Sequence, residues 1–231
     1  MSTFSAAVVA RDLRPQTYGT ARVERVRDPI VEPLWVGIRV LAAVDHGVVG
    51  LLEDGEPLTE HPEIEAAVAD AVIADAAVLD GFVIRASLYD RTGVDGDPEL
   101  ATTTSTGYLK QSLFGRRRNI RAEFEERARF EADARAFEPD EPAQFVAVDL
   151  LWVDGVSLIE IPLLERKRLL ESVMRESEVV RPGTYVRPPL TSWIGSWRGF
   201  GFTGVTYKAA NGHYRPGGVK DDWIVTPMPR R

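Results

Sequence analysis

Two apolar runs joined by a two-residue turn constrain the fold of this chain more than any other feature. Residues 36–45 and 48–53 are rich in β-branched and aliphatic side chains, and only His46 and Gly47 separate them. A pair containing glycine between two such runs is typical of a tight β-hairpin. The sequence therefore predicts neighbouring antiparallel strands near the start of a domain.

Strands and helices alternate irregularly along the rest of the chain. Pro62 stands at the first position of a predicted helix, residues 77–90 predict one long strand or a strand pair, and residues 143–155 predict a buried strand that closes on an Asp-Gly turn. Pro162 begins an amphipathic helix with Leu163, Leu170, Val173 and Met174 on one side, and Pro- and Gly-rich strands are expected after it. Residues 105–136 predict one or two exposed helices, and residues 1–29 an irregular lead-in. This order favours an α+β fold with mostly antiparallel β-sheets flanked by helices.

Composition narrows the class of protein. The chain has 231 residues, 44% of them hydrophobic, a formal net charge of -7 and no cysteine. The acidic balance argues against indiscriminate coating of nucleic acid, and the absence of cysteine excludes disulfides and thiolate metal sites. No signal peptide is recognisable. The Ala-rich run of residues 66–79 is interrupted by Asp70 and Asp75, which argues against a transmembrane helix. We expect a soluble cytoplasmic protein without a membrane partner.

Five segments, in this order, resemble the adenylation domain of the ATP-dependent DNA ligases, a family of covalent nucleotidyltransferases. They are EPLWVGIRVLA, GLLEDGEPLTEHPEI, VLDGFVI, FVAVDLLWVDGVSLIEIPLLERKRLLESVM and TGVTYKAANGHYRPGGVKDDWIVTP. The first resembles the family's E-P-K-W-D-G-Y-R-V-L-A, and the last runs without a gap along its E-G-V-V-A-K and D-W-L-K-V-K strands. The resemblance implies two mostly antiparallel sheets in a DNA ligase adenylation-domain, ATP-grasp-like architecture over residues 30–227, with residues 228–231 as a tail.

The same resemblance implies that the family's reactive side chains are replaced. In that family a lysine amine attacks the α-phosphate of ATP, with cations on the phosphates and a carboxylate at the metal ion. The lysine position holds Leu34, so we expect no catalytic residue. The other changed positions are Val36 for an aspartate, Phe82 for the ribose-binding glutamate, Val148 for the adenine-stacking aromatic, Thr203 for the metal-associated glutamate, and Val225 and Pro227 for two phosphate-binding lysines. We expect neither ATP nor Mg²⁺ as a cofactor, and no metal.

Scaffold positions, in contrast, still match the family. The matching residues are Gly37, Asp80, Gly81, Asp149, Leu150, Leu151, Asp154, Gly155, Gly204, Tyr214, Arg215, Pro216, Gly217 and Trp223. Burying a triphosphate against apolar side chains without cations is prohibitive. We therefore hypothesise that the apolar replacements pack on one another as additional core, or at most line an apolar pocket. The six apolar replacements are Leu34, Val36, Phe82, Val148, Val225 and Pro227.

Several polar and aromatic groups carry two interpretations each. Glu32, Arg39 and Lys208 match positions beside the nucleotide and either contact a phosphate or form an intramolecular ion pair. Arg116, Arg117, Arg118 and Arg121 either contact DNA or RNA or pair with nearby glutamates along a helix. Trp193, Trp197 and Phe200 either stack on bases or a partner, or pack over a sheet edge. The spacing of His46, His61 and His213 indicates no metal site.

These observations predict a ligase-like domain that has lost its own chemistry and acts by binding. The expected role is that of a structural or regulatory partner of a protein, or of DNA or RNA, linked to DNA repair or RNA processing. The chain ends at Arg231, where the family's ligases continue into an OB-fold domain, and this too argues against ligation. Two alternatives remain: an enzyme of this fold with changed chemistry, and a small-molecule binder that uses an apolar cleft.

Overall fold

Two β-sheets and four α-helices build the part of the chain that the computed structural model describes, residues 5–86, 137 and 141–228. The strands are β1 (Thr17–Gly19), β2 (Pro29–Pro33), β3 (Ile38–Asp45), β4 (Val48–Glu53), β5 (Glu56–Leu58), β6 (Ala76–Arg85), β7 (Ala143–Val153), β8 (Val156–Ser157), β9 (Val180–Pro182), β10 (Gly204–Ala209) and β11 (Val219–Pro227). The helices are α1 (Ala6–Asp12), α2 (Pro62–Ala71), α3 (Leu163–Val173) and α4 (Thr191–Gly199). The predicted α+β class is confirmed.

The larger sheet has the strand order β5-β4-β3-β6-β7-β8, and β9 pairs with β7. Its first hairpin is the one that the sequence predicts, because β3 and β4 pair antiparallel around His46 and Gly47. Both turn residues have positive φ, 48° and 80°, as a two-residue hairpin turn requires. All pairs of this sheet are antiparallel except β7 with β9.

The smaller sheet has four strands in the order β1-β11-β10-β2. The pairs β2–β10 and β10–β11 are antiparallel, whereas β1 pairs parallel with β11. Ile30 and Trp223 of this sheet pack in one buried cluster with Leu41 and Val78 of the larger sheet. One face of the four-stranded sheet is therefore turned toward the seven-stranded sheet.

Two segments differ from the expectation. The lead-in before residue 30, predicted to be irregular, contains α1 and β1, and Asp45 Oδ1 accepts a hydrogen bond from the Ala6 amide at 2.9 Å. Residues 191–199, expected among Pro- and Gly-rich strands, form α4. Tertiary packing decides both cases: Ala6 and Ala10 on α1 and Trp197 on α4 are buried.

The other predicted starts agree with the structure. Helix α2 begins at Pro62, and α3 begins at Leu163 directly after Pro162. The stretch 105–136, predicted to be helical, lies outside the described residues. None of the helices in the described ranges is long and apolar enough to cross a membrane.

Gly37 lies where the backbone before β3 approaches β6. A Cβ at this position would stand 2.2 Å from the Val83 carbonyl oxygen, a contact that only movement of the backbone could relieve. We expect Gly37→Ala to destabilise the protein by about 1–3 kcal/mol, which lowers the melting temperature by about 2–12 °C. Gly50→Ala is the matched control, because a Cβ there meets no heavy atom within 4 Å. Equal melting temperatures for the two variants in a calorimetric scan would contradict the close approach.

Candidate functional site

The face of the four-stranded sheet that is turned toward the larger sheet carries several of the positions that the ligase resemblance marks. Thr206 of β10 lies in register with Glu32 of β2 and Val225 of β11. Two residues further along β10, Lys208 lies opposite Trp223. Because alternate residues of a strand share a face, these side chains form adjacent rows. Glu32, Lys208 and Val225, three of the positions that the resemblance marks, thus share this surface.

Leu34 follows β2 at one end of this surface. Its backbone amide donates to the Gly204 carbonyl at 3.0 Å, and a Cβ built on Gly204 would stand 3.0 Å from Leu34 Cδ2. The half-buried leucine side chain therefore packs over Gly204 of β10. The same Cβ would stand 2.8 Å from the Thr226 carbonyl oxygen, so the backbone of β11 together with Leu34 restricts position 204 to glycine.

Phe82 and Val148 belong to the apolar cluster, whose buried members are Val31, Trp35, Phe82, Ile84, Val146, Val148, Leu190, Ile194, Trp197, Phe202 and Val205. Trp35 and Phe202 meet edge to face, with ring centroids 4.8 Å apart. Two of the six apolar replacements, Phe82 and Val148, thus lie together in core, as the sequence hypothesis expects of them.

The remaining replaced positions lie apart from that cluster. Thr203 and Val225 are half-buried and Pro227 is exposed, whereas Val36 is buried outside the cluster. The hypothesis that all six apolar replacements pack on one another is therefore wrong, because only Phe82 and Val148 share the apolar cluster and Pro227 is exposed. Pro227 lies opposite Gly204 at the end of β11, where its side chain is exposed to solvent.

Glu32, Lys167 and Lys208 form a buried charge cluster, in which each side chain is only 1% exposed. Glu32 Oε2 accepts a hydrogen bond from Lys208 Nζ at 2.7 Å, and Glu32 Oε1 lies 2.6 Å from Lys167 Nζ in an ion pair. Lys208 Nζ also stands 4.3 Å from the centre of the Trp223 ring. With both amines protonated, this cluster would bury two positive charges against one negative charge.

This excess of positive charge shifts the pKa values of Glu32 and Lys167. Burial alone would raise the pKa of the Glu32 carboxyl, but the two adjacent ammonium groups outweigh burial and lower it from its ordinary value. Burial lowers the pKa of Lys167, and the neighbouring Lys208 adds to that effect against the attraction of Glu32. Glu32 is therefore held as a carboxylate, and Lys167 is the amine that gives up its proton more readily than an exposed lysine.

Arg39 belongs to a second polar group on the larger sheet. Its Nε and Nη2 donate to the two Asp80 oxygens at 3.0 and 2.7 Å, and its Nη1 donates to the Gln16 carbonyl at 2.8 Å. The Tyr214 hydroxyl donates to Asp80 Oδ2 at 2.8 Å. The guanidinium stands 5.4 Å from the centre of the Phe82 ring. All three terminal nitrogens of Arg39 are thus engaged within the protein.

Sequence reasoning missed Lys167 and its neighbour Arg166. Arg166 is fully buried and pairs with Asp149 of β7 through two hydrogen bonds of 2.8 Å. The signal was present: Leu163, Arg166, Lys167 and Leu170 follow the i, i+3, i+4, i+7 spacing of a buried helical stripe. Two cations inside such a stripe predict buried anionic partners.

Helix α3 connects the two sheets through these consecutive residues. Arg166 reaches Asp149 on the larger sheet, while Lys167 reaches Glu32 on the smaller one. Successive residues of a helix point about 100° apart, which lets adjacent side chains contact two different sheets.

The other candidate residues give no further site in the described part of the chain. His46 is exposed in its turn, and His61 and His213 contact Glu63 and Glu160 separately. Within residues 5–86 and 141–228, no three His, Asp or Glu side chains are grouped so as to hold a metal ion. Arg116, Arg117, Arg118 and Arg121 lie outside the described residues.

The three aromatic residues in and after α4, Trp193, Trp197 and Phe200, differ in burial. Trp197 is buried in the apolar cluster, which fits packing against the sheets. Trp193 and Phe200 are 42% and 41% exposed, and the Trp193 ring lies 6.1 Å from that of Trp197. No base or partner contact follows from this arrangement alone.

Tyr18 provides a pH-dependent test of the polar region. Its ring lies 6.1 Å from Trp223, and burial raises the pKa of its hydroxyl to about 12, against the opposing effect of Arg39. Because the pKa is raised on folding, this stabilisation is complete below pH 10 and is lost as the pH rises toward 12. In Tyr18→Phe, absorbance titration at 295 nm should lack one tyrosine that ionises near pH 12. Tyr185→Phe should keep that component, and its presence in Tyr18→Phe would refute the assignment.

A model of the ATP-dependent DNA ligase domain matches residues 22–225, almost the whole chain. The chain belongs to this family. The matched span runs from before β2 to within β11, and it includes every replaced position except Pro227. The chain matches no curated protein sequence.

Solved ligase structures share the fold of this family member. The ligase domain of M. tuberculosis LigD superposes with a TM-score of 0.61 at 22% identity, covering 94% of this chain and 60% of that one. Mycobacterial DNA ligase D, solved with ATP and MES, gives 0.62 at 23%, covering 95% and 62%. Chlorella virus DNA ligase-adenylate gives 0.51 at 14%, covering 94% and 67%. The chain thus spans about three fifths of the length of the two mycobacterial ligase structures.

Proposed function

We propose that this ligase-family domain has no nucleotidyl transfer of its own and acts by binding, as a structural or regulatory partner in DNA repair inside the cytoplasm. The observation that carries the proposal is the contact of Leu34 with Gly204 at the position where the resemblance places the reactive lysine. A hydrocarbon side chain offers no nitrogen for a bond to phosphorus.

The two lysines that pair with Glu32 support this conclusion. Lys167 and Lys208 are almost fully buried, and both are held against Glu32. An attacking amine must reach its phosphate with a free electron pair, and the reach of either lysine is restricted by this packing. Neither side chain is placed to replace the missing nucleophile.

The residues present do not fit a nucleoside triphosphate with its divalent metal ion. Val225 and Pro227 supply no charge where the resemblance places phosphate-binding lysines, and Thr203 supplies no carboxylate. Arg39 is already engaged by Asp80 and Gln16. Several negative phosphate charges on this surface would lack compensating cations. We therefore propose that neither ATP nor Mg²⁺ is used.

A labelling experiment tests the loss of chemistry. The full chain is incubated with Mg²⁺ and α-³²P-labelled ATP or GTP, or adenylate-labelled NAD, and separated on a denaturing gel. We expect no covalent label. Lys167→Arg and Lys208→Arg serve as matched variants: a label on the wild type that disappears in one of them would establish a relocated nucleophile and refute the proposal in favour of an enzyme with changed chemistry.

Nucleic acid is the partner class that membership of a DNA ligase family supports first. The test is a mobility shift of duplex DNA, with RNA in parallel, at increasing salt. Binding through phosphates weakens steeply with salt. Arg116→Ala/Arg117→Ala/Arg118→Ala should lose most of the shift. Absence of any shift in the wild-type chain would leave a protein partner as the proposal and exclude the nucleic acid.

A further inference from the structure

Residues 13–19, here called the N-terminal strap, run along the edge of the four-stranded sheet and contact both sheets. Thr17 N donates to the Gly218 carbonyl at 3.0 Å, and Gly217 N donates to the Arg14 carbonyl at 2.9 Å. Toward the larger sheet, the Gln16 carbonyl accepts from Arg39. The strap therefore covers the edge of β11 and the polar group around Arg39 together.

Gln16 is the centre of the strap's attachment. Its backbone N–H donates to the Tyr214 hydroxyl at 2.9 Å, and its Oε1 accepts from the Arg215 amide at 2.7 Å. Tyr18 adds an aromatic contact with Trp223 and a cation–π contact with Arg39. The body of the domain therefore holds the strap mainly through the side chains of Gln16 and Tyr18, which are two positions apart.

The attachment is also local and incomplete. Strand β1 has only three residues, and its register with β11 shifts between Tyr18 and Gly19. Among the described residues, the buried Nε2 of Gln16 has no hydrogen-bond acceptor. A short edge strand with an unsatisfied buried donor is expected to open at lower cost than the sheet beneath it.

We propose that the strap is a displaceable edge strand, and that its release uncovers a binding site for an extended peptide segment on β11. The segment that fits this site carries a glutamine and, two residues later, an aromatic residue, because Tyr214, Arg215, Arg39 and Trp223 recognise those groups in the strap. Strand addition to a free sheet edge supplies the backbone hydrogen bonds, and the two side chains supply specificity. This site is independent of the proposed loss of nucleotidyl transfer.

The test uses a fluorescently labelled peptide of residues 13–21 as the probe and the full chain as the receptor. In the wild type the attached strap competes at a high effective concentration, so the free peptide should bind weakly. Gln16→Ala/Tyr18→Ala in the chain weakens the attached strap, and we expect the peptide to bind this variant at least about tenfold more tightly. A control peptide carrying Gln16→Ala and Tyr18→Ala should not bind.

A reversible lock provides the matched control, because the natural chain has no cysteine. Thr17 and Val219 are exposed register partners in neighbouring strands, about 4.8 Å apart, within the range of a disulfide. Adding Thr17→Cys/Val219→Cys to the Gln16→Ala/Tyr18→Ala chain should abolish peptide binding when oxidised and restore it when reduced. Equal binding to the oxidised and reduced chains, or no binding to Gln16→Ala/Tyr18→Ala, would overturn the proposal.

Hydrogen exchange keeps the proposal testable if the double variant does not fold. In Gln16→Ala alone, amides of β1 and β11 should exchange faster than in the wild type, while those of β6 and β7 keep their protection. Uniformly faster exchange in all four strands would show that the strap does not open as a separate unit, and would equally overturn the proposal.

Discussion

Glu32→Gln should be among the most destabilising single changes in this protein. The substitution keeps the size of the side chain but removes the carboxylate that pairs with both Lys167 and Lys208, which are each 1% exposed. Removing one partner of a buried ion pair leaves uncompensated charge, at a cost on the order of 3–5 kcal/mol. For a chain of this size we expect the melting temperature to fall by about 6–20 °C.

Lys167→Met is the informative counterpart of that change. It removes the second positive charge and leaves Glu32 paired with Lys208 at 2.7 Å, so the buried charges are balanced. We expect it to alter stability by less than about 1.5 kcal/mol, because the methionine fills a similar volume. A loss of stability as large as that of Glu32→Gln would show that the cluster does not carry excess positive charge.

Acid titration separates these variants further. The pKa of Glu32 is lowered on folding, so its contribution to stability is complete above its ordinary pKa and is lost as the pH falls through the lower, folded value. Urea unfolding of the wild type between pH 7 and pH 3 should show this loss. Glu32→Gln should show a flatter dependence over the same range, from a lower starting stability.

Local signals explain why much of the fold was predictable. The turn at His46–Gly47 and the prolines before α2 and α3 act within a few residues, so sequence alone places the hairpin and both helix starts. The glycine at position 37 matches the family because a neighbouring carbonyl excludes any larger residue. Such restrictions come from the approach of one backbone to another and do not depend on which side chains line a site.

The parts that escaped prediction depend on residues far apart in the chain. Glu32 and Lys208 are separated by 176 positions, and their pairing follows only once β2 and β10 are neighbours. Helix α1 has seven residues, too few to be stable alone, and depends on Asp45 and on the burial of Ala6 and Ala10. Helix α4 contains Gly195, which lowers its intrinsic preference for helix, and the burial of Trp197 compensates. Long-range packing, not local propensity, determines these three features.

Arg166→Met should be comparably destabilising through the other sheet. Arg166 is fully buried, its Nε and Nη2 each lie 2.8 Å from an oxygen of Asp149, and its Nη1 donates to the carbonyls of Ile161 and Gly212. Methionine replaces the hydrocarbon stem but leaves the buried Asp149 carboxylate without its cation. We expect a loss on the order of 3–5 kcal/mol in urea unfolding.

A double-mutant cycle distinguishes the charge pair from simple packing. If the cost of Arg166→Met comes from the stranded carboxylate, Asp149→Asn should recover part of it in the double variant, with a coupling of about 0.5–3 kcal/mol. Arg168→Met is the surface control, because Arg168 pairs with Glu165 where both side chains are more than half exposed. It should cost less than about 1 kcal/mol. Strictly additive losses of unfolding free energy in Arg166→Met/Asp149→Asn would mean that packing alone holds α3 against β7. The ion pair of Lys167 with Glu32 would then be the electrostatic link between this helix and a sheet.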